Sequence, residues 1–150
     1  PSAVKERESL SLINNGLIEY YGPKNPKIVL IAMGSLCGTI KDVIDIHGRQ
    51  KRFLGDSVGL IKLKVLRPLP AADILRAIGK ARQVAVLEKA VSLGANAGPL
   101  ALDIRSLAKN HSRAKVQSFI VGLGGRDITR QTIDKIIAQV KGKDDKTRFI

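Results

Sequence analysis

Twice in this chain a short, almost wholly apolar run breaks into glycines and restarts with helical spacing. The two stretches are Ile28-Val-Leu-Ile-Ala-Met-Gly-Ser-Leu-Cys-Gly-Thr39 and Ser118-Phe-Ile-Val-Gly-Leu-Gly-Gly-Arg-Asp-Ile-Thr129. A strand covered by helices on both faces reads as continuous hydrophobicity rather than alternation, and a glycine turn lets it pass directly into a helix. The carboxyl ends of such strands are where open α/β sheets place their function. These turns are therefore the first candidates for a site.

The rest of the chain continues the pattern. Residues 17–21 read as a short strand closed by Gly22-Pro23 and Asn25-Pro26, and residues 27–33 as a strong one. Ile40, Val43, Ile44 and His47 then follow at i, i+3, i+4 and i+7, the stripe of an amphipathic helix. Thr39 and Asp42 resemble a capping box at its start. Residues 58–66 form the next expected strand, ended by Arg67-Pro68-Leu69-Pro70, and Ile74, Leu75 and Ile78 mark a helix after it. Residues 83–88 and 116–121 supply two more strands. Pro99 opens a helix carrying Leu100, Ile104 and Leu107, and Ile133, Ile136, Ile137 and Val140 mark a closing helix capped by Thr129. Strand and helix alternate four times after the first strand, which argues for an open parallel sheet with right-handed crossovers and helices on both faces. Residues 1–15 are expected to be a linker or lead-in helix, 16–141 a single α/β domain, and 142–150 a charged tail. The chain opens on Pro1 rather than methionine, which suggests a processed chain or a piece of a longer one.

Composition bounds the function. At 150 residues, 44% hydrophobic and 26% charged, the chain fits one globular domain with a real core. No apolar run is long enough to span a bilayer, so no membrane partner is expected. A lone cysteine excludes an internal disulfide and fits a reducing, cytoplasmic setting. The net charge of +13 favours acidic partners. That charge is spread along the chain, however, and with aromatics at only 3% there is little to stack bases. Nucleic acid is permitted but not indicated as a partner.

Gly34-Ser35-Leu36-Cys37-Gly38-Thr39 sits at a strand-to-helix junction, where free backbone N–H groups and the helix dipole favour an anion. It has neither the lysine of a P-loop nor the spacing of a dinucleotide fingerprint. It can be a tight βα turn, or the anion site of a free-standing anion- or nucleotide-binding module. Cys37 fits a small buried hydrophobe better than a reactive thiol, since no histidine stands near it in the pattern. In the second turn, Gly124 and Gly125 lead into Arg126, which could clamp a phosphate or a partner's carboxylate, and Asp127, which could orient it or cap the helix. Arg67-Pro68 and Glu88-Lys89 add charge at two other strand ends. His47 and His111 are isolated from any metal-ligand cluster. No catalytic constellation emerges from the residues themselves.

The ordered set of residues 31–39, Gly59-Leu-Ile-Lys-Leu-Lys-Val-Leu-Arg-Pro-Leu-Pro70, Val84-Ala-Val-Leu-Glu-Lys89 and residues 119–129 resembles one known family. It is similar to the transketolase C-terminal-like domain of pyruvate:ferredoxin oxidoreductases, part of the 2-oxoacid:acceptor oxidoreductase alpha subunit. The likeness runs from about residue 17 to about residue 140. It implies a three-layer α/β/α sandwich whose five-stranded, mostly parallel sheet has one antiparallel strand, supplied by residues 17–21. The family decarboxylates a 2-oxoacid, pyruvate above all, on thiamine pyrophosphate with magnesium. It passes electrons through iron–sulfur clusters to ferredoxin and makes an acyl-CoA. The resemblance implies that those cofactors lie in other domains or subunits and that none is bound by this chain. This domain would then be non-catalytic and inactive alone, an interface to the rest of the enzyme and possible dock for ferredoxin. Its expected contact residues are Gly34, Ser35, Gly38, Thr39, Arg67, Pro68, Gly124, Gly125, Arg126 and Asp127.

Overall fold

The architecture follows from where the apolar runs must hide. A computed structural model describes residues 13–50, 57–140 and 146–150; the expected lead-in at 1–15 lies almost wholly outside them. The strands are β1 (Ile18–Tyr21), β2 (Ile28–Met33), β3 (Val58–Leu63), β4 (Gln83–Glu88), β5 (Lys115–Ile120) and β6 (Arg148–Phe149). The helices are α1 (Leu36–Gln50), α2 (Ala71–Ile78), α3 (Pro99–Lys109) and α4 (Arg130–Val140). The strands form one sheet in the order β1-β3-β2-β4-β5-β6, with β1 antiparallel to β3 and every other pairing parallel. The α/β class and the antiparallel strand near residue 18 are as expected.

Successive side chains on a strand point to opposite faces, and both faces of this sheet are buried. Val29, Ile31, Ile61, Val84 and Val86 meet Ile74 and Ile78 of α2 and Leu100 and Ile104 of α3 in one core. On the other side Leu30, Leu60, Ala85, Leu87 and Phe119 meet Ile40 and Val43 of α1 and Ile133, Ile136, Ile137 and Val140 of α4. Each fully buried Leu, Ile or Phe contributes about 1.5–3 kcal/mol. This two-sided burial is why the strands read as unbroken hydrophobicity. The expected closing-helix stripe is the buried stripe of α4.

Three expectations need correction. The sheet has six strands rather than five, because Arg148–Phe149 of the expected tail adds to β5. The Ile150 N–H donates to the Ile120 carbonyl at 3.0 Å, and the Thr147 hydroxyl donates to the Asn96 carbonyl. A two-residue strand has no periodicity to detect. Secondly, α1 begins at Leu36, directly after the glycine turn, so Thr39 lies inside its first turn and is no cap. Asp42 instead accepts from Arg130 of α4 at 3.1 Å. Thirdly, β3 ends at Leu63 rather than residue 66, as its last residues turn toward a cis Arg67–Pro68 bond. Thr129 does cap α4: its Oγ1 accepts from the Thr132 N–H, and Thr132 Oγ1 accepts from the Thr129 N–H, both at 3.3 Å.

Candidate functional site at the strand ends

The strand order places a reversal between β2 and β4. The chain moves from β2 outward to β3, then crosses back over β2 to β4 and onward to β5. At such a switch point the connections leave in opposite directions and open a crevice at the carboxyl ends of the strands. An open cleft of about 330 Å³ lies there, lined by Ser35, Leu36 and Thr39 after β2, Lys89 after β4, and Gly122, Gly125, Arg126, Asp127 and Ile128 after β5.

Glycine geometry shapes its walls. Gly34 turns β2 into α1 at φ +73°, a left-handed conformation that costs an L side chain strain. The opposite wall holds Gly122 at φ +67°, Gly124 at +66° and Gly125 at +77°, around a single short 3₁₀ turn. Gly122 is packed as well as turned: a Cβ there would lie 3.0 Å from Ile128 Cδ1 and 3.3 Å from Lys89 Cε. At Gly124 and Gly125 the space is open.

The structure brings five of the ten sequence-derived residues into the cleft and leaves the other five outside its lining. Ser35, Thr39, Gly125, Arg126 and Asp127 share the cleft. Arg67 and Pro68 do not line it. They follow β3, and Arg67 Nη2 donates to Asp103 of α3 at 2.7 Å, tying that loop to the opposite helix layer. Asp127 is not bonded to Arg126 and does not cap α4, the role taken by Thr129. Gly34 makes the turn just ahead of Ser35 without lining the cleft, Gly38 is exposed on the first turn of α1, and Gly124 is exposed beside Gly125 outside the lining. Leu36, Lys89, Gly122 and Ile128 complete the lining; Lys89 is the charge expected at the end of β4, and the other three lie in or beside the two glycine turns. Their signal was positional, since each follows a parallel strand.

Groups that could carry chemistry are committed elsewhere. Cys37 is buried, and that burial pushes its thiol upward in pKa, away from reactivity. Glu88, at the end of β4, accepts from the Leu100 and Ala101 N–H groups at 3.0 and 2.9 Å, capping α3. Burial raises its pKa, with these two hydrogen bonds partly opposing the shift and the charge of Asp103 adding to it. The helix's own N-cap residue, Gly98, has no side chain to offer, and a Cβ there would lie 2.2 Å from the Glu88 carboxyl carbon. His47 Nε2 lies 2.6 Å from Asp134 Oδ1, joining α1 to α4 rather than sitting among apolar groups alone.

An iron–sulfur cluster needs several thiolates, and this chain has one cysteine. Among the described residues no group of three His, Cys, Asp or Glu could hold a metal ion. The described residues do not fit such groups, and no chemical step is assigned to them. No helix among the described residues is long and apolar enough to cross a membrane.

A doubly wound α/β/α domain with its cleft at the switch point is the class of protein defined here. Comparison with known proteins is more specific. The family described as pyruvate:ferredoxin oxidoreductase core domain II matches residues 26–133, and the chain belongs to that family. It is 44% identical over 137 residues to a pyruvate synthase subunit PorA from Methanocaldococcus jannaschii, covering 91% of this chain and 33% of that one. It is 31% identical over 139 residues to a probable pyruvate-flavodoxin oxidoreductase from Escherichia coli, covering 87% and 12% respectively. The fold is similar, at TM-score 0.58 and 17% identity, to a chain of a 2-oxoglutarate:ferredoxin oxidoreductase from Magnetococcus marinus solved with 2-oxoglutarate, coenzyme A and succinyl-CoA. That likeness covers 89% of this chain and 21% of the other. The chain thus spans about a third of the length of its PorA relatives. A stretch carried within longer proteins of this kind does not support the free-standing anion-module expectation.

Proposed function

We propose that this chain is a non-catalytic, bracing domain of a thiamine-pyrophosphate-dependent 2-oxoacid:ferredoxin oxidoreductase, acting on pyruvate. The observation that carries the reading is the family match over residues 26–133, joined to a strand-end cleft whose glycine turns carry Lys89 and Arg126 beside Ser35, Thr39 and Asp127. Thiamine pyrophosphate, magnesium and iron–sulfur clusters belong in this reading to other parts of the enzyme, and reduced ferredoxin and an acyl-CoA are its products. The cleft serves as the contact surface for a neighbouring domain or subunit. Arg126, exposed and without an ion pair among the described residues, offers a bidentate fork to a partner's carboxylate. Ser35, Thr39 and the Gly124–Gly125 backbone supply shorter-range polar contacts. Arg67 and Pro68 form a second contact point beyond β3. The domain works in the cytoplasm with its partner subunits.

Two measurements test this. The isolated chain, given pyruvate, coenzyme A, thiamine pyrophosphate and a viologen dye, reduces no dye; turnover would overturn the reading. Arg126→Ala in the assembled oxidoreductase weakens association by about tenfold, in keeping with loss of an interfacial charge contact of 1–2 kcal/mol, and leaves the chain's melting temperature unchanged. Unimpaired assembly with lowered stability would make the arginine structural instead.

A further inference from the structure

A second charged surface lies at the opposite pole of the sheet, and the bracing role does not use it. Because β2, β4 and β5 run parallel, the segments leading into them meet at the sheet's amino-terminal end. They bring Lys24 ahead of β2, Lys80 and Arg82 ahead of β4, and Arg113 and Lys115 at the start of β5, all five exposed. Residues 22–27, 79–83 and 110–115 contain no Asp or Glu. None of these five cations forms an ion pair among the described residues. The segments are stitched side by side. The Arg82 N–H donates to the Lys27 carbonyl at 3.0 Å, and the Lys115 N–H to the Arg82 carbonyl at 2.9 Å. Neighbouring strands stand about 4.8 Å apart, so the charges crowd onto one compact face.

Local compensation does not account for them. The helices run back against the strands, so their carboxyl ends face this pole, each worth roughly half a negative charge. Four such ends amount to about two negative charges, fewer than the five cations. Two of these helices also carry a basic residue without an ion pair among the described residues in the last turn, Arg49 in α1 and Lys109 in α3, whereas Arg76 of α2 is paired with Asp73 and His47 of α1 with Asp134. A surplus of positive charge remains in water, where each cation repels its neighbours.

We propose that this pole docks an acidic protein surface. The inference rests on the reading above that the chain works inside a larger oxidoreductase, whose other parts supply that surface. A second copy of this face is excluded by like charge. The three segments contain no Phe, Tyr or Trp to stack on bases. The helix ends here present carbonyls, so there is no backbone N–H cradle of the kind that holds phosphates. Contact falls to long side chains in water, the mode of a polar interface that steers association and selects a partner by sign.

Zero-length carbodiimide coupling of the assembled oxidoreductase reads this directly, because it joins only amines and carboxylates already in contact. The Lys41–Glu19 ion pair inside the domain serves as the positive control. Lys24, Lys80 and Lys115 are expected to couple to Asp or Glu outside residues 1–150. If the control couples and none of the three does, while the enzyme assembles and turns over, the inference is overturned and the bracing role stands. Changing Lys80, Arg82, Arg113 and Lys115 together to Gln should slow association about tenfold at low ionic strength and much less in high salt. Unchanged association at low salt would also overturn it. So would a short DNA duplex that binds the chain at about 0.15 M salt and is released by the same four substitutions, since the face would then belong to nucleic acid.

Discussion

Replacing Glu88 by Ala removes the acceptor for two backbone N–H groups at the start of α3, the 3.0 and 2.9 Å bonds from Leu100 and Ala101. Hydrogen bonds to charged groups are worth about 1.5–3 kcal/mol each when well made, whereas loss of a helix cap measured as a whole costs about 0.5–2 kcal/mol. The two bonds share one partly solvated carboxylate, so the cap value is the better guide. About 2 kcal/mol is expected, near the top of that range because the first turn of α3 packs into the core through Leu100 and Ala101. For a domain of this size that lowers the melting temperature by roughly 4–8 °C, readable by far-ultraviolet circular dichroism. Gly98→Ala should cost a similar amount in the native protein, since its Cβ would collide with the same carboxyl carbon at 2.2 Å. In the Glu88→Ala background that cost should largely vanish, giving a large coupling energy in the double-mutant cycle. Acid dependence gives an independent check. Burial raises the native pKa of Glu88 above its ordinary 4.5, so the native state holds the proton more tightly than the unfolded chain. Its contribution to stability is therefore full below pH 4.5 and is lost as pH rises through the native value. Glu88→Gln should remove that decline while keeping part of the cap. Additive costs for Gly98→Ala and Glu88→Ala, or an unchanged pH slope in Glu88→Gln, would refute the assignment of Glu88 as the cap.

Other expectations follow from single contacts. Gly59→Ala should destabilise the domain by about 1–3 kcal/mol, the usual cost of overpacking, because its Cβ would lie 2.2 Å from the Tyr20 hydroxyl, itself held at 2.6 Å from the Pro23 carbonyl. Tyr20→Phe in the same chain should recover part of that loss in a urea titration. Cys37 should resist iodoacetamide in the folded chain and react only as fast as the domain opens, since it is buried with its thiol pKa raised; rapid native labelling would contradict its place in the core. Ile137→Ala, deep between α4 and the sheet, should cost about 2–5 kcal/mol, checked by the shift in denaturation midpoint.

The main strands, the helix stripes and the antiparallel first strand were legible because each rests on many residues that obey one period. Val84 to Leu87 and Ile28 to Ala32 can be buried on two faces only in a covered parallel sheet. The features with no sequence signature depend on one or two residues. Arg148–Phe149 has no pattern of its own and becomes a strand only through its partner β5. A cap-like residue at Thr39 points to a start of α1 there, yet the glycine turn alone suffices to launch the helix at Leu36. Glu88 reads as rim charge until α3 is seen to begin at Gly98 and Pro99, neither of which has a side-chain acceptor. Of the cleft, the two glycine turns were readable. Lys89 reads as charge at a strand end, but its place in the cleft depends on the order of strands in space, which no local pattern encodes. The same order moved Arg67 out of the cleft.

Both margins of the sheet are closed by afterthoughts: four antiparallel residues on the β3 side and two residues on the β5 side. Short terminal strands of this sort discourage a foreign chain from joining the hydrogen-bond ladder. Growth sideways is thus discouraged, which under the two proposals above leaves the glycine-built pole and the cationic one to receive neighbours. Under those proposals, a domain made in this way is slotted into a large assembly by its two ends while its short edges resist zipping onto whatever strand passes beside it.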